Sequence, residues 1–549
     1  MKHFLTHFIQ RVNTTPDQPV LTDWKGTTNY TYATLTQQMT RIDALLTSLD
    51  VHEGDRVALC GRNSSNWGVA FLTLMASRRV AVSILPDFTP EGVRDLVNHS
   101  EAKLLFSGDV VWKNLTAGDT TPEMLLQAMP ALRAIVGLTE FQPLALRNEA
   151  DAALFVPFSL PEGSAVETGW WQIGDLNELC LINYTSGTTS SPKGVMLTYG
   201  NLSANVEQVF GLVDNVAGES IVSILPMAHM YGLCVEFLGV VPLGVHIHFI
   251  SKTPTPTILA AAFAEIHPVA LVCVPLVLEK IFRQKVLPIV KKPVMRCLML
   301  IPGISQLLGK KIRNTIIAGM GGRVRYIVIG GAALNQEVET WMHRVKIPYI
   351  VGYGMTECGP LIAVSRVGTF DRFSCGRQVP GMELRIDSED PQRIDGEILT
   401  RGTNVMLGYY KNEEATRATF TEDGWLRTGD LGVLNKRGDL FIRGRSKNMI
   451  LGASGQNIYP EELEDKVNSI PGVVESVVLE REGHLIALIY ADPIYRRRLG
   501  AEKLEALIQK RLKQINHELP MYSQIKTFEF VAEEFAKTPK RSIKRYLYK

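Results

Sequence analysis

Between Tyr184 and Met196 the chain reads YTSGTTSSPKGVM, a short string in which hydroxyl groups and a glycine lead to a lysine. These residue types suit a phosphate. Gly187 lets backbone N–H groups approach closely, Thr185, Ser186, Thr188 and Thr189 offer hydroxyl donors, and Lys193 adds a point charge. The string is not a Walker loop: that motif needs Gly-x-x-x-x-Gly-Lys-Ser/Thr, whereas Gly194 here follows the lysine. On its own, SGTTS also fits a Ser/Thr/Gly-rich surface loop.

Such a loop needs a rigid base, and the preceding LCLINY reads as a buried strand that delivers it. Strand-like and helical patterns alternate through most of the first 330 residues, as in RVALCG followed by WGVAFLTLMASRR. That alternation predicts parallel sheets covered by helices. VRYIVIGG and YIVGYGMTE read as two further buried strands, whose carboxyl ends are where open sheets bind ligands. From about Gly376 short alternating stretches rich in Gly and Asp predict antiparallel hairpins. After Lys447 a compact α+β stretch follows, with NIYPEELEDKVNSI helical, VVESVVLE and HLIALIYA extended, and KLEALIQKRLKQIN helical. The expected fold is therefore α/β. A large N-terminal domain of stacked parallel-sheet subdomains spans 1–446, with a small β subdomain at about 376–446, and a small mobile α+β domain spans 447–549.

The chain has 549 residues and a formal net charge of +2, too balanced for a protein that works by gripping nucleic-acid phosphates. Its seven cysteines are odd in number, widely spaced and mostly set in apolar runs, which suits reduced thiols. With no signal-peptide core and no apolar run long enough to span a bilayer, the cytoplasm is the expected compartment.

The phosphate string resembles that of the adenylate-forming superfamily, which includes acyl-CoA synthetases, firefly luciferase and nonribosomal adenylation domains. Further strings follow in that family's order: LPMAHMYG from Leu225, GGAAL from Gly330, YGMTE from Tyr353, GEILTRG from Gly396, WLRTGD from Trp425, FIRGRSKN from Phe441 and GQNIYPEELE from Gly455. The resemblance implies ATP and Mg²⁺ as cofactors, with coenzyme A as co-substrate. It makes Glu357 the Mg²⁺ ligand and Thr356 an α-phosphate contact, Tyr353 and Gly354 the adenine-stacking segment, and Gly331 and Ala332 the turn beneath the base. Asp430 and Arg445 would hold the ribose, and Lys447 would be the hinge about which the C-terminal domain turns. Glu357 is expected to be a surface ligand that contributes little to the fold. His229 borders the position of the substrate carboxylate, and no acidic residue lies in its LPMAHMYG string to pair with an amino group. A plain carboxylic acid is therefore expected, most readily a medium- or long-chain fatty acid.

The departure from the family lies near the C-terminus. There KTPKRSIKR places Ser542 where the resemblance expects an adenylating lysine, so Lys540 and Lys544 are the candidate replacements. The implied activity is that of an AMP-forming acid–thiol ligase; the alternatives are an acid:acyl-carrier-protein ligase or a weakly active nucleotide-binding relative. VEFLGVVPLGV and LVCVPLVLEKIF read as core or as the walls of an acyl tunnel. The basic and apolar mixture from Lys285 to Arg313 reads as a solvated helical hairpin, with peripheral membrane contact as the alternative.

Overall fold

The computed structural model describes residues 1–155, 168–185, 192–251, 254–282, 286–290, 292–451, 456–538 and 542–548. Two large sheets dominate. In the first, Val80–Ile84, Arg56–Cys60, Leu104–Ser107 and Ala134–Gly137 run parallel beside Leu179–Thr185, which turns back antiparallel into Lys193–Thr198. In the second, Tyr349–Gly354, Tyr326–Ile329, Ala270–Cys273, Ser220–Ser223, His246–Phe249 and Pro19–Asp23 form a continuous parallel core with antiparallel strands at both edges. The alternating pattern predicted this arrangement, because parallel neighbours require helical crossovers.

One helix joins the two sheets. Ser65–Ala76 is buried along its whole length and touches Arg56–Cys60 and Val80–Ile84 of one sheet and Pro19–Asp23 of the other. Its sequence SNWGVAFLTLMA is apolar almost all round, the signature of a helix with no solvent face. The Ser64 hydroxyl accepts from Trp67 N and caps its start.

A four-stranded antiparallel sheet follows, built from Met382–Asp387, Gly396–Gly402, Leu426–Leu434 and Leu440–Arg445. The predicted β region holds two exceptions: Arg377–Gln378 pairs with Leu361–Val364 at the edge of the second large sheet, and Gly408–Tyr409 pairs with Val195 and Met196 at the edge of the first. The last stretch has its own three-stranded sheet, Val473–Arg481, His484–Ala491 and Ile525–Phe530, packed with the helices Pro460–Asn468 and Ala501–Glu518 around a separate apolar cluster. No helix among the described residues is long and apolar enough to cross a membrane. All seven cysteines are free; five are buried, Cys375 is half-buried and Cys297 is exposed.

Candidate active site

Thr185 and Lys193 close the phosphate string from opposite strands. They are register partners in the hairpin, with Thr185 Oγ1 donating to the Lys193 carbonyl at 3.4 Å. Ser186, Gly187, Thr188 and Thr189 lie outside the described residues, as does Lys540. Lys193 Nζ stands 4.8 Å from the ring centre of Tyr409, and the Tyr409 hydroxyl donates to Glu357 Oε1 at 2.8 Å. Sequence reading had not singled out Tyr409. It reaches the site because its two-residue strand changes sheets, and the only sequence signal is an aromatic pair, Tyr409 and Tyr410, ahead of the Asn412-capped helix Glu413–Thr419.

Glu357 itself sits in a single turn, Thr356–Cys358, at the end of strand Tyr349–Gly354. Here the structure corrects an expectation. Glu357 is only 9 % exposed, and Thr356 beside it is buried as well, so Glu357 is not a surface ligand. Its backbone carbonyl accepts from Met406 N at 2.9 Å, which ties the turn to the segment that carries Tyr409. Gly354 has a different constraint, because a Cβ built there would lie 1.9 Å from the Pro360 carbonyl oxygen.

The other side of the strand end meets the four-stranded sheet. Tyr353 Oη donates to Asp430 Oδ2 at 2.7 Å, and Arg445 Nε pairs with Asp430 Oδ1 at 2.7 Å. Asp430 and Arg445 are direct register partners on neighbouring strands, so the ion pair follows from the sheet's register. Burial raises the Asp430 carboxyl above the usual range while Arg445 and the Tyr353 hydroxyl pull it back. Burial also raises the Tyr353 phenol, which stays protonated and remains a donor.

Gly331 and Ala332 follow strand Tyr326–Ile329, and Gly331 adopts φ +81°, which a glycine takes without strain. Tyr231 packs beneath Gly330 and donates its hydroxyl to the Val328 carbonyl at 3.1 Å. His229 is half-buried, and its Nδ1 accepts from Tyr231 N at 3.2 Å. In the following segment, VEFLGVV, Val235, Phe237, Leu238 and Val241 are buried in the apolar core, the first three within the π-helical turn Gly232–Leu238. Within that turn lies an acid that sequence reading missed. Glu236 is fully buried and accepts from Ser223 Oγ at 2.9 Å, Leu225 N at 3.1 Å and Ile224 N at 3.3 Å. Burial pushes its carboxyl up to about 8, against the pull of those three donors. A lone acid within CVEFLGVV was the available signal.

Lys447 is exposed in the turn Ser446–Asn448. Its neighbours are anchored on opposite sides. Ser446 Oγ donates to the Gly429 carbonyl at 3.1 Å, whereas Asn448 Nδ2 donates to Glu461 Oε1 at 2.6 Å on the following helix. That helix is also clamped to the second large sheet's helical layer, because Asn335 Nδ2 donates to Asp465 Oδ1 at 2.6 Å and Gln336 N to Asp465 Oδ2 at 3.3 Å. Ser542 N donates to Thr538 Oγ1 at 3.3 Å, and Lys544 N to the Ala536 carbonyl at 2.8 Å. Among the described residues no hydrogen bond or ion pair joins Lys544 to Glu357 or Lys193.

The donor set fits a nucleotide with its cation. No group of three or more His, Cys, Asp or Glu side chains that could hold a metal exists among the described residues. One carboxylate completed by phosphate oxygens and water is, however, a usual Mg²⁺ arrangement. Tyr409 occupies Oε1 of Glu357, which leaves the second oxygen to a cation.

A parallel α/β body with this arrangement at its strand ends defines the adenylate-forming class. The model for the AMP-binding enzyme family matches residues 8–410, and the chain belongs to that family. It is 30% identical over 494 residues to a long-chain-fatty-acid–CoA ligase of Mycobacterium bovis, covering 85% of this chain and 78% of that protein. It is 27% identical over 514 residues to a long-chain-fatty-acid–CoA ligase of Escherichia coli O157:H7, covering 84% and 83%. Among solved structures, ATP-bound MatB from Rhodopseudomonas palustris superposes with a TM-score of 0.77 at 22% identity, covering 100% of this chain and 98% of that one. MenE from Bacillus subtilis with its acyl-adenylate intermediate gives 0.74 at 20% identity, covering 99% and 97%. The general reaction is activation of an acid through acyl-AMP, the chemistry of an ATP-dependent acyl-CoA ligase.

Proposed function

We propose that this chain converts a medium- or long-chain fatty acid to its CoA thioester. The similarity to long-chain-fatty-acid–CoA ligases over 85% of the chain carries this reading. An acyl site without a counter-ion for an amino group agrees with it: LPMAHMYG holds no acid, and the nearby Glu236 is turned into the core.

In this reading the acid's carboxylate attacks the α-phosphorus of ATP, pyrophosphate leaves, and the acyl-adenylate forms. Glu357 would hold Mg²⁺, which would supply neutralisation of the phosphate charge. Lys193 and Thr185 hold phosphate oxygens at the two ends of the string, Glu357 holds the cation, and Thr356 touches the α-phosphate. Asp430, already oriented by Tyr353 and Arg445, accepts from the ribose hydroxyls. Gly331, Ala332, Tyr353 and Gly354 border the base, and His229 borders the carboxylate. Lys540 or Lys544 supplies the cation that Ser542 lacks once the unit 447–549 turns about Lys447 against the unit 1–446. The thiol of coenzyme A then attacks the acyl carbonyl, the C–O bond to phosphate breaks, and AMP leaves. The cytoplasm supplies these substrates.

Acid-dependent exchange of labelled pyrophosphate into ATP, with acids from short to long and no thiol present, tests the first half. Exchange is expected with long-chain acids. Exchange with none, in protein that binds ATP, would overturn the reading in favour of a binding role. Supplying coenzyme A or a phosphopantetheinylated carrier protein then identifies the acceptor.

A further inference from the structure

The backbone that leads to His229 is gripped from both large sheets. It leaves strand Ser220–Ser223 and runs through Ile224, Leu225, Pro226 and Met227 to Ala228. Asn63 reaches it from the loop after strand Arg56–Cys60: Nδ2 donates to the Leu225 carbonyl at 2.6 Å and to Ser223 Oγ at 3.1 Å, and Oδ1 accepts from Met227 N at 2.8 Å. Asn183, two residues before Thr185 of the phosphate string, donates Nδ2 to the Ala228 carbonyl at 2.9 Å. Glu236 takes the remaining donors, Ile224 N, Leu225 N and Ser223 Oγ.

A buried acid is a destabilising way to hold a strand end. Glu236 is fully buried and makes no ion pair among the described residues, and desolvating an acid without a cation costs stability that an apolar residue would not. Its place in the chain is also unusual. The Gly239 N–H donates to the Cys234 carbonyl five residues back at 2.8 Å, the bond of a π-helical turn, a form that clusters at functional sites. That turn starts against the gripped segment, because a Cβ on Gly232 would lie 2.5 Å from the Pro226 carbonyl oxygen. It also meets the Glu357 turn, where Cys234 Sγ donates to the Gly359 carbonyl at 2.9 Å, one residue past Thr356–Cys358. The grip thus references the approach to His229 to the phosphate strand and to the Glu357 turn at once. We propose that Glu236 and Asn63 are positioning residues for acid activation, which fix the Ser223–Ala228 backbone so that His229 meets the substrate carboxylate; this rests on His229 bordering that carboxylate in the proposed function.

Two readouts on the full-length chain separate positioning from stability. One is acid-dependent pyrophosphate exchange, with KM for the acid and for ATP measured separately. The other is the rate at which diethyl pyrocarbonate modifies His229, followed by peptide mass spectrometry. Glu236→Ala and Asn63→Ala are each expected to lower kcat/KM for the acid about tenfold while KM for ATP stays within about twofold. In both, the His229 modification rate should change at least about threefold. Glu236→Gln, which keeps one acceptor oxygen, should recover most of both losses. The double alanine variant should lose little beyond the larger single effect, because both side chains hold one segment. Leu125→Ala, in the helix Pro122–Ala128 against the far edge strand Pro143–Leu146, is expected to lower the melting temperature comparably and move neither readout. Asn63 is half-buried, so Asn63→Ala carries the test if Glu236→Ala does not fold. An unchanged His229 rate in the alanine variants, equal losses toward acid and ATP, or Leu125→Ala reproducing either change would each overturn the proposal. Wild-type protein without exchange would overturn the functional reading alone, since the His229 rate still decides whether the grip positions that side chain.

Discussion

The hydroxyl of Tyr409 donates to Glu357 Oε1 at 2.8 Å, so the carboxylate proposed to hold the cation is oriented by a side chain from a different sheet edge. Tyr409→Phe removes that donor and keeps the ring under Lys193. Losing one hydrogen bond costs about 1 kcal/mol of stability, a small change in melting temperature. The catalytic effect is expected to be larger, about tenfold in pyrophosphate exchange, with a higher Mg²⁺ requirement. An unchanged Mg²⁺ titration in this variant would remove Tyr409 from the cation site.

Asp430 is held between the Tyr353 hydroxyl and Arg445 before any nucleotide arrives. Asp430→Asn keeps the shape but replaces one acceptor oxygen by a donor, which then faces either the guanidinium or the phenol. KM for ATP is expected to rise about tenfold, with a smaller effect on the acid. Equal increases in both KM values would mean that Asp430 serves the fold and not the nucleotide.

Much of this was legible before any coordinates. The parallel sheets, the antiparallel insert and the C-terminal α+β unit followed from periodicity, because helix and strand bury different residue spacings. That Tyr353, Glu357, Asp430 and Arg445 share a site was implied by the resemblance of their strings to the adenylate-forming superfamily. Tyr409 and Glu236 escaped for a physical reason. Each acts through a contact across elements, Tyr409 with Glu357 and Glu236 with Ser223, and no local periodicity encodes such a pairing. The burial of Glu357 was missed for the same reason: its cover comes from the segment near Met406, some fifty residues on.

Glu236 predicts a pH dependence of stability. Its carboxyl titrates at about 8 in the folded chain, above its ordinary value, so between about pH 5 and 8 the folded state retains a proton that the unfolded state has lost. Stability from this group is complete at the acid end and declines as pH rises toward 8. Glu236→Gln, which cannot titrate, is expected to flatten that decline in melting temperature, even if the amide beside Leu225 N lowers stability overall. A parallel decline in variant and wild type would assign the pH dependence elsewhere.

Asp465 accepts from Asn335 Nδ2 and Gln336 N, fastening the helix after Lys447 to the large N-terminal body. If that body and the C-terminal unit alternate between two poses, this clamp stabilises one of them. Asp465→Ala should then shift pyrophosphate exchange and single-turnover thioester formation in opposite directions, by about fivefold or more. Both rates changing by the same factor would show that the clamp serves stability alone.

The position of Ser542 gives the sharpest test of the adenylation step. In the proposed reaction an ATP phosphate and the substrate carboxylate must approach each other, and a hydroxyl at position 542 would not screen them as an ammonium would. If Lys544 takes that role after the unit turns, Lys544→Ala should lower exchange about a hundredfold. Ser542→Lys in the wild-type background should then change it little, because the charge is already supplied. The double variant separates the alternatives: Ser542→Lys restoring activity to Lys544→Ala would show that one cation is needed and that either position delivers it. If Lys544→Ala retains full exchange while Lys540→Ala loses it, the compensating lysine is Lys540, four residues earlier in the chain.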